Sequence, residues 1–300
     1  MRDRVVAILL ALAAASAPAV AADGVPVVYT VNYPLAYFAE RVGGDLVQVH
    51  FPTPPGVDPA FWKPGPDVIV DFQGADLILR NGAGYAKWTG MASLPRRTQV
   101  DTSRSFADQY LPANLGVVHS HGPSGDHSHS GVAFTTWLDP EQAIAQARAI
   151  EQALARLRPE HASAFAAGAD ALEADLRTLD RELREAFAGL AARPLLASHP
   201  VYQYLARRYE LDLRALLWEP DVAPGEGDWQ ELDELLAKRP TSLMLWEAEP
   251  TVATREQLER RGVGVIVFDP CANRPREGDF ISVQRANAGA LNDITRPSVQ

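Results

Sequence analysis

Residues 159–189 form the segment that most restricts how this chain can fold. Phe165, Leu172, Leu176, Leu179, Leu183, Phe187 and Leu190 recur at spacings of three, four and seven, which puts one apolar stripe along a helix. Glu173 with Arg177 and Asp180 with Arg184 add i,i+4 support on its wetter side. About thirty residues at 1.5 Å rise per residue span roughly 45 Å. An ordinary core helix has the same stripe, but this length also suits a strut between two lobes. Pro159 disfavours helical geometry at Arg158 and can itself open a helix, so the segment starts cleanly.

Strand and helix signals alternate on both sides of it. Residues 26–32 (PVVYTVN), 45–51 (DLVQVHF) and 75–82 (ADLILRNG) are strand-like, and PLAYFAERVGG between the first two has helical spacing ending in glycines. Asp139 can cap a helix that has Pro140 at its first position and runs to about Leu157. Beyond Gly189 the alternation restarts with RPLLAS, PVYQYLARRYEL, ELDELLAKRP, SLMLWEAE, REQLERRG and VGVIVFDP. The expected fold is α/β, with two lobes that each hold a mainly parallel sheet flanked by helices, joined by one long rigid helix. The divisions are 1–22, 23–158, 159–189 and 190–300, and the tail after Asp293 is expected to be poorly ordered.

The first of these divisions is an expected signal peptide. Arg2 and Arg4 precede an apolar run from Val5 to about Ala15, and Ala19-Val20-Ala21 gives a small-x-small cleavage pattern, with cleavage expected near Ala21/Ala22. The run is shorter than a membrane span needs, so an exported mature chain is expected. A formal net charge of −10 argues against nucleic acid or an anionic membrane surface as partner and favours accumulation of cations. With Cys271 as the single cysteine, no internal disulfide framework can form.

Four of the seven histidines, His119, His121, His127 and His129, lie within residues 119–130 (HSHGPSGDHSHS). In an extended segment residues two apart project to the same side, and the intervening Gly-Pro-Ser-Gly-Asp can reverse the chain, so four imidazoles could share one ion. The alternative is a polar loop that takes up metal weakly, because ordering it costs backbone entropy. Two further positions stand at the ends of strand-like runs, His199 after PLLAS and Asp269 after VGVIVF, where open α/β sheets bind ligands. Either residue alone is more often a cap or a satisfied hydrogen-bonding group. Cys271 could supply a thiolate, although a small buried hydrophobe is its commoner role. Glu219 and Glu247 stand in reserve as carboxylates, against the usual role of acids as solvated surface groups. His50 and His161 stand alone and are assigned no role.

Taken together, PPGVDPAFWKPGPDVI, ADLILRNGAGYAKW, TTWLDPEQA, SHPVYQYLARRYEL and VIVFDP, in that order across nearly all of the mature chain, resemble the metal-binding proteins of zinc and manganese ABC importers, especially the zinc receptor of the high-affinity uptake system. The resemblance implies two α/β lobes joined by a long helix, with metal held in the cleft between them. It also implies four cleft ligands: a His after the first Asp-Pro, a His shortly before Trp-Leu-Asp-Pro, the His of the SHP segment and an acid at FDP. His199 and Asp269 match the last two. Ala60 and Thr135 stand at the first two, and neither is a good zinc ligand.

The His-rich loop hangs from the lobe that lacks those two histidines. The expectation is that loop histidines, from among His121, His127 and His129, fold into the cleft and complete a site with His199 and Asp269. A separate loop site that captures metal and passes it on is the competing geometry. The resemblance implies an exported, periplasmic, monomeric zinc receptor that delivers Zn2+ to an inner-membrane ABC permease and catalyses nothing. The rivals are a periplasmic zinc buffer or chaperone without a permease and an interaction or adhesion protein whose site has decayed. A hydrolase is disfavoured, since the chain has no His-Glu-x-x-His pattern. Imidazole suits zinc, copper and nickel alike, and the histidine content argues against calcium or magnesium.

Overall fold

The structure, a computed structural model, describes residues 24–113, 131–190 and 193–295. Among the described residues, eight short strands form two separate four-stranded sheets, and every strand pairing within them is parallel. The first holds β1 (Val27–Thr30), β2 (Gln48–His50), β3 (Leu77–Arg80) and β4 (Gln99–Asp101) in the order β2-β1-β3-β4. The second holds β5 (Leu195–Ala197), β6 (Leu213–Ala215), β7 (Leu243–Trp246) and β8 (Gly264–Val267) in the order β6-β5-β7-β8. The two sheets thus share one topology. In each, the chain steps from the first strand to one neighbour and then returns to the other side of the first. Such a reversal opens a crevice beyond the carboxyl ends of the strands, which is where open α/β sheets bind ligands.

Helices α1 (Tyr33–Gly43) and α2 (Pro66–Gly74) connect strands of the first sheet, and α3 (Pro140–Leu157) and α4 (Ala162–Ala188) lie between the two sheets in sequence. Asp139 caps α3 as its position implies, its carboxylate accepting from the Glu141 N–H at 3.1 Å, and Pro140 occupies the first turn. A 3-10 turn over Pro159–His161 precedes α4, whose 27 residues bury the expected stripe from Phe165 to Phe187. Helix α4 packs on α1, α3 and α8 (Phe280–Thr295). Its carboxyl-terminal end reaches the second sheet, where the Phe187 ring stacks on Tyr209 at 5.1 Å and meets Phe268 at 5.9 Å. Gly168 allows the close fit on α1, since a Cβ there would lie 2.5 Å from the Val42 carbonyl oxygen.

Ion pairs fasten the wet side of α4, and only part of the pattern is the expected one. Glu173 pairs with Arg177 at 2.8 Å, and Arg148 of α3 reaches the same carboxylate at 2.6 Å. Asp180 lies 3.6 Å from Arg184 but only 2.6 Å from Arg208 of α5 (Gln203–Arg208), so its main partner belongs to the second half of the chain.

The second sheet packs α6 (Glu226–Lys238) and α7 (Val252–Arg260) on its rear face around a separate apolar cluster that includes Trp218, Leu232, Met244, Trp246 and Leu258. Strand β4 is an edge strand of three residues, Gln99-Val100-Asp101, whose single apolar residue sits among polar neighbours and gives no strand signal in sequence. No helix among the described residues is long and apolar enough to cross a membrane.

Candidate metal centre

Each strand of the second sheet delivers one ionisable residue just past its carboxyl end. His199 follows β5, Glu219 follows β6, Glu247 follows β7 and Asp269 follows β8. Adjacent parallel strands lie about 4.8 Å apart, so the strand order sets the order of these side chains along the edge: Glu219, His199, Glu247, Asp269. His199 stands between two carboxylates and Asp269 one strand further on. The geometry follows this order. Ligand atoms of His199, Glu219 and Glu247 all lie within 4.8 Å of one another, with His199 Nδ1 at 3.5 Å from Glu219 Oε1.

Local packing holds each member in place. The Ser198 N–H donates to the Leu245 carbonyl at 2.8 Å, carrying the β5–β7 pairing up to His199. Trp218 and Trp246 are buried in the rear cluster with ring centroids 6.2 Å apart. Successive residues of an extended chain face opposite ways, so anchoring Trp246 behind the sheet turns Glu247 to the front. Among the described residues, the sequence signal that sequence reasoning passed over is a repeated tripeptide, Leu-Trp-Glu at residues 217–219 and again at 245–247.

Burial pushes the Glu247 carboxyl up to about 8, reinforced by the negative charges of Glu219, Asp58 and Asp269. Carboxylates from both lobes therefore act on one site, Asp58 coming from the turn in which its side chain accepts the Ala60 N–H at 2.8 Å. Asp269 is held by neighbouring hydrogen bonds. Its carboxylate accepts the Cys271 N–H at 2.6 Å, and its backbone is gripped by Asn287 and Gln284 of α8. Burial raises its pKa, partly offset by that N–H. Cys271 is buried, and burial together with the Asp269 and Asp279 charges pushes its thiol well up, which opposes a thiolate ligand.

The first lobe presents a different surface. Ala60 is buried, and its methyl side chain has no donor atom for a metal. The Thr135 hydroxyl donates to the Val201 carbonyl across the cleft. Beyond β1 and β3, where the second lobe has His199 and Glu247, the first has Asn32 and Asn81, joined by a 3.2 Å hydrogen bond and buried with Gln146 and Thr102 in a neutral network. Other bonds close the lobes together: Trp137 Nε1 donates to the Pro270 carbonyl at 2.8 Å, Tyr204 to the Ala133 carbonyl at 2.8 Å and Asn273 to the Val57 carbonyl at 2.7 Å.

The loop histidines His119, His121, His127 and His129 lie outside the described residues. His50 stacks on Tyr29 at 4.9 Å and His161 packs edge-on to Phe165 at 6.2 Å, both away from the cluster.

Comparison with known proteins identifies the fold and the family. The zinc-binding lipoprotein AdcA of Streptococcus pneumoniae (strain ATCC BAA-255 / R6) is 25% identical over 285 residues, covering 91% of this chain but only 56% of AdcA. The manganese ABC transporter substrate-binding lipoprotein PsaA of Streptococcus pneumoniae is 26% identical over 215 residues, covering 70% of this chain and 67% of PsaA. Among solved structures, the Zn(II)-bound ZnuA-like domain of Streptococcus pneumoniae AdcA has the same fold, with a TM-score of 0.78 at 22% identity over 91% of this chain and 99% of that domain. The model of the family described as ZnuA, zinc-uptake complex component A periplasmic, matches residues 28–294, and the chain belongs to that family.

Proposed function

We propose that this protein is an exported zinc receptor that binds its ion in the cleft between the lobes and delivers it to an ABC permease in the inner membrane. Its family is one of transport receptors and not of enzymes. The observation that carries the reading is the convergence of His199 with carboxylates at the crevice of the second sheet, in a fold shared with a Zn(II)-bound domain. In this reading the chain works as a periplasmic monomer after loss of residues 1–22, with 23–158 and 190–300 as its lobes and 159–189 as the connecting segment. His199 anchors the ion and Asp269 stands two strands away along the same edge, while His119, His121, His127 and His129 on the first lobe form a separate, weaker site that captures metal and passes it to the cleft.

Zinc is the proposed cargo because imidazole and carboxylate together suit it. The first test is metal analysis by mass spectrometry of the intact, chelator-stripped chain after reloading. One tightly held zinc ion per chain, with binding lost in His199→Ala, is the expected result. Failure of the wild-type chain to rebind any divalent ion rules the receptor reading out.

A further inference from the structure

Building on the receptor reading, we propose that His199, Glu219 and Glu247 form a complete three-ligand cation seat on the second lobe alone, with the two glutamates as direct ligands. Geometry carries the assignment. The order β6-β5-β7 sets the three side chains next to one another, and their ligand atoms already lie within 4.8 Å. Ligands about 2.0–2.1 Å from one zinc ion in tetrahedral array sit roughly 3.3 Å apart, so side-chain rotation without lobe movement closes the seat.

A second observation points the same way. Glu247 directly follows β7 and is turned to the front of the sheet by Trp246, which is anchored behind it, so its carboxylate joins His199 and Glu219. An imidazole flanked by two carboxylates is a donor set of the kind that holds zinc. A simple His199–Glu219 pair explains two of the three residues and leaves the placement of Glu247 without a reason. The first lobe offers little competition at the matching positions: Ala60 has no donor atom, and the Thr135 hydroxyl is engaged with Val201. The result is a set of one nitrogen and at least two oxygens, which accepts zinc and also tolerates harder divalent first-row ions such as manganese.

The test uses the full chain, stripped with chelator and titrated with zinc chloride by calorimetry against a competing chelator. Glu219→Gln and Glu247→Gln are each expected to weaken binding by about tenfold or more. A variant lacking residues 119–130 is expected to keep one ion within threefold of wild-type affinity. Zinc K-edge absorption of the wild-type complex should show one imidazole with the remaining neighbours oxygen, a readout independent of whether the variants fold. Unchanged affinity in both glutamine variants, loss of the ion with the loop, or two or more imidazoles in the absorption spectrum overturns this ligand assignment while leaving the receptor reading intact. A wild-type chain that binds no ion removes the reading itself.

Discussion

The Thr135 hydroxyl donates its hydrogen bond to the Val201 carbonyl, tying the loop ahead of α3 to the segment that leads from His199 into α5. The position that the family resemblance assigns to a metal-binding imidazole is thus occupied by a contact between the lobes. Thr135→Val keeps the shape and removes the donor. The expected result is a loss of about 1 kcal/mol in urea denaturation, the usual net worth of such a bond, with zinc affinity within threefold of wild type.

The fit of α4 on α1 depends on a missing side chain. An alanine Cβ at position 168 would come within 2.5 Å of the Val42 carbonyl oxygen, a backbone atom that cannot swing aside. Gly168→Ala should therefore destabilise the fold by about 1–3 kcal/mol despite the better helix propensity of alanine. A lowered melting temperature with normal zinc stoichiometry at low temperature is the outcome to look for.

Asp180 links the long helix to the second lobe and gives stability a sign with pH. Burial opposes its ionisation, but hydrogen bonds from Arg208 and Tyr209 and the charges of Arg208 and Arg184 outweigh this and hold its carboxyl below the ordinary value. A depressed folded pKa means the contribution is complete above the unfolded carboxylate pKa and is lost as pH falls through the folded one. Asp180→Asn should cost about 1–3 kcal/mol at pH 7, with the difference from wild type shrinking below about pH 4. Denaturation curves at the two pH values check it.

Glu247 should trade stability for binding. In the chelator-stripped protein its carboxylate is crowded by burial and by three acidic neighbours, so Glu247→Gln should raise apo stability at pH 9 by about 1–3 kcal/mol. The same variant should show the smaller melting-temperature rise on adding zinc. An apo protein that is destabilised by the change would show that the carboxylate serves structure instead.

Metal preference offers a further check. An oxygen-rich seat narrows the advantage that imidazole ligands give zinc over manganese, although zinc still binds more tightly in the general order of stability. In competition titrations, Glu219→His should widen the zinc-to-manganese affinity ratio by about tenfold. A ratio unchanged from wild type would argue that position 219 does not touch the ion.

Much of the architecture was legible along the chain because it is local. The stripe from Phe165 to Phe187, the Asp139 cap with Pro140 behind it, and the strands at 27–30, 48–50 and 77–80 all follow from spacing and neighbouring residues. Strand β4 was not, because Val100 stands alone among polar neighbours, with no apolar run around it. His199 and Asp269 could be singled out since each ends a strand-like run and falls in a segment, SHP or FDP, that carries the family resemblance. Glu219 and Glu247 looked like ordinary surface acids, as nothing local separates a glutamate at a crevice from one in solvent. Only the repeat of Leu-Trp-Glu marked them.

What the sequence determined by itself is therefore the alternation of strands and helices, the long helix between the two halves, and the placing of His199, Glu247 and Asp269 after strand-like runs, with Glu219 among the candidate acids. Which of those four residues meet was decided by tertiary structure alone. The order β6-β5-β7-β8 sets His199 between two glutamates and moves Asp269 outward, and that order arises from hydrogen bonds between segments tens of residues apart. Local spacing encodes how each strand ends, but it holds no record of which strand becomes its neighbour.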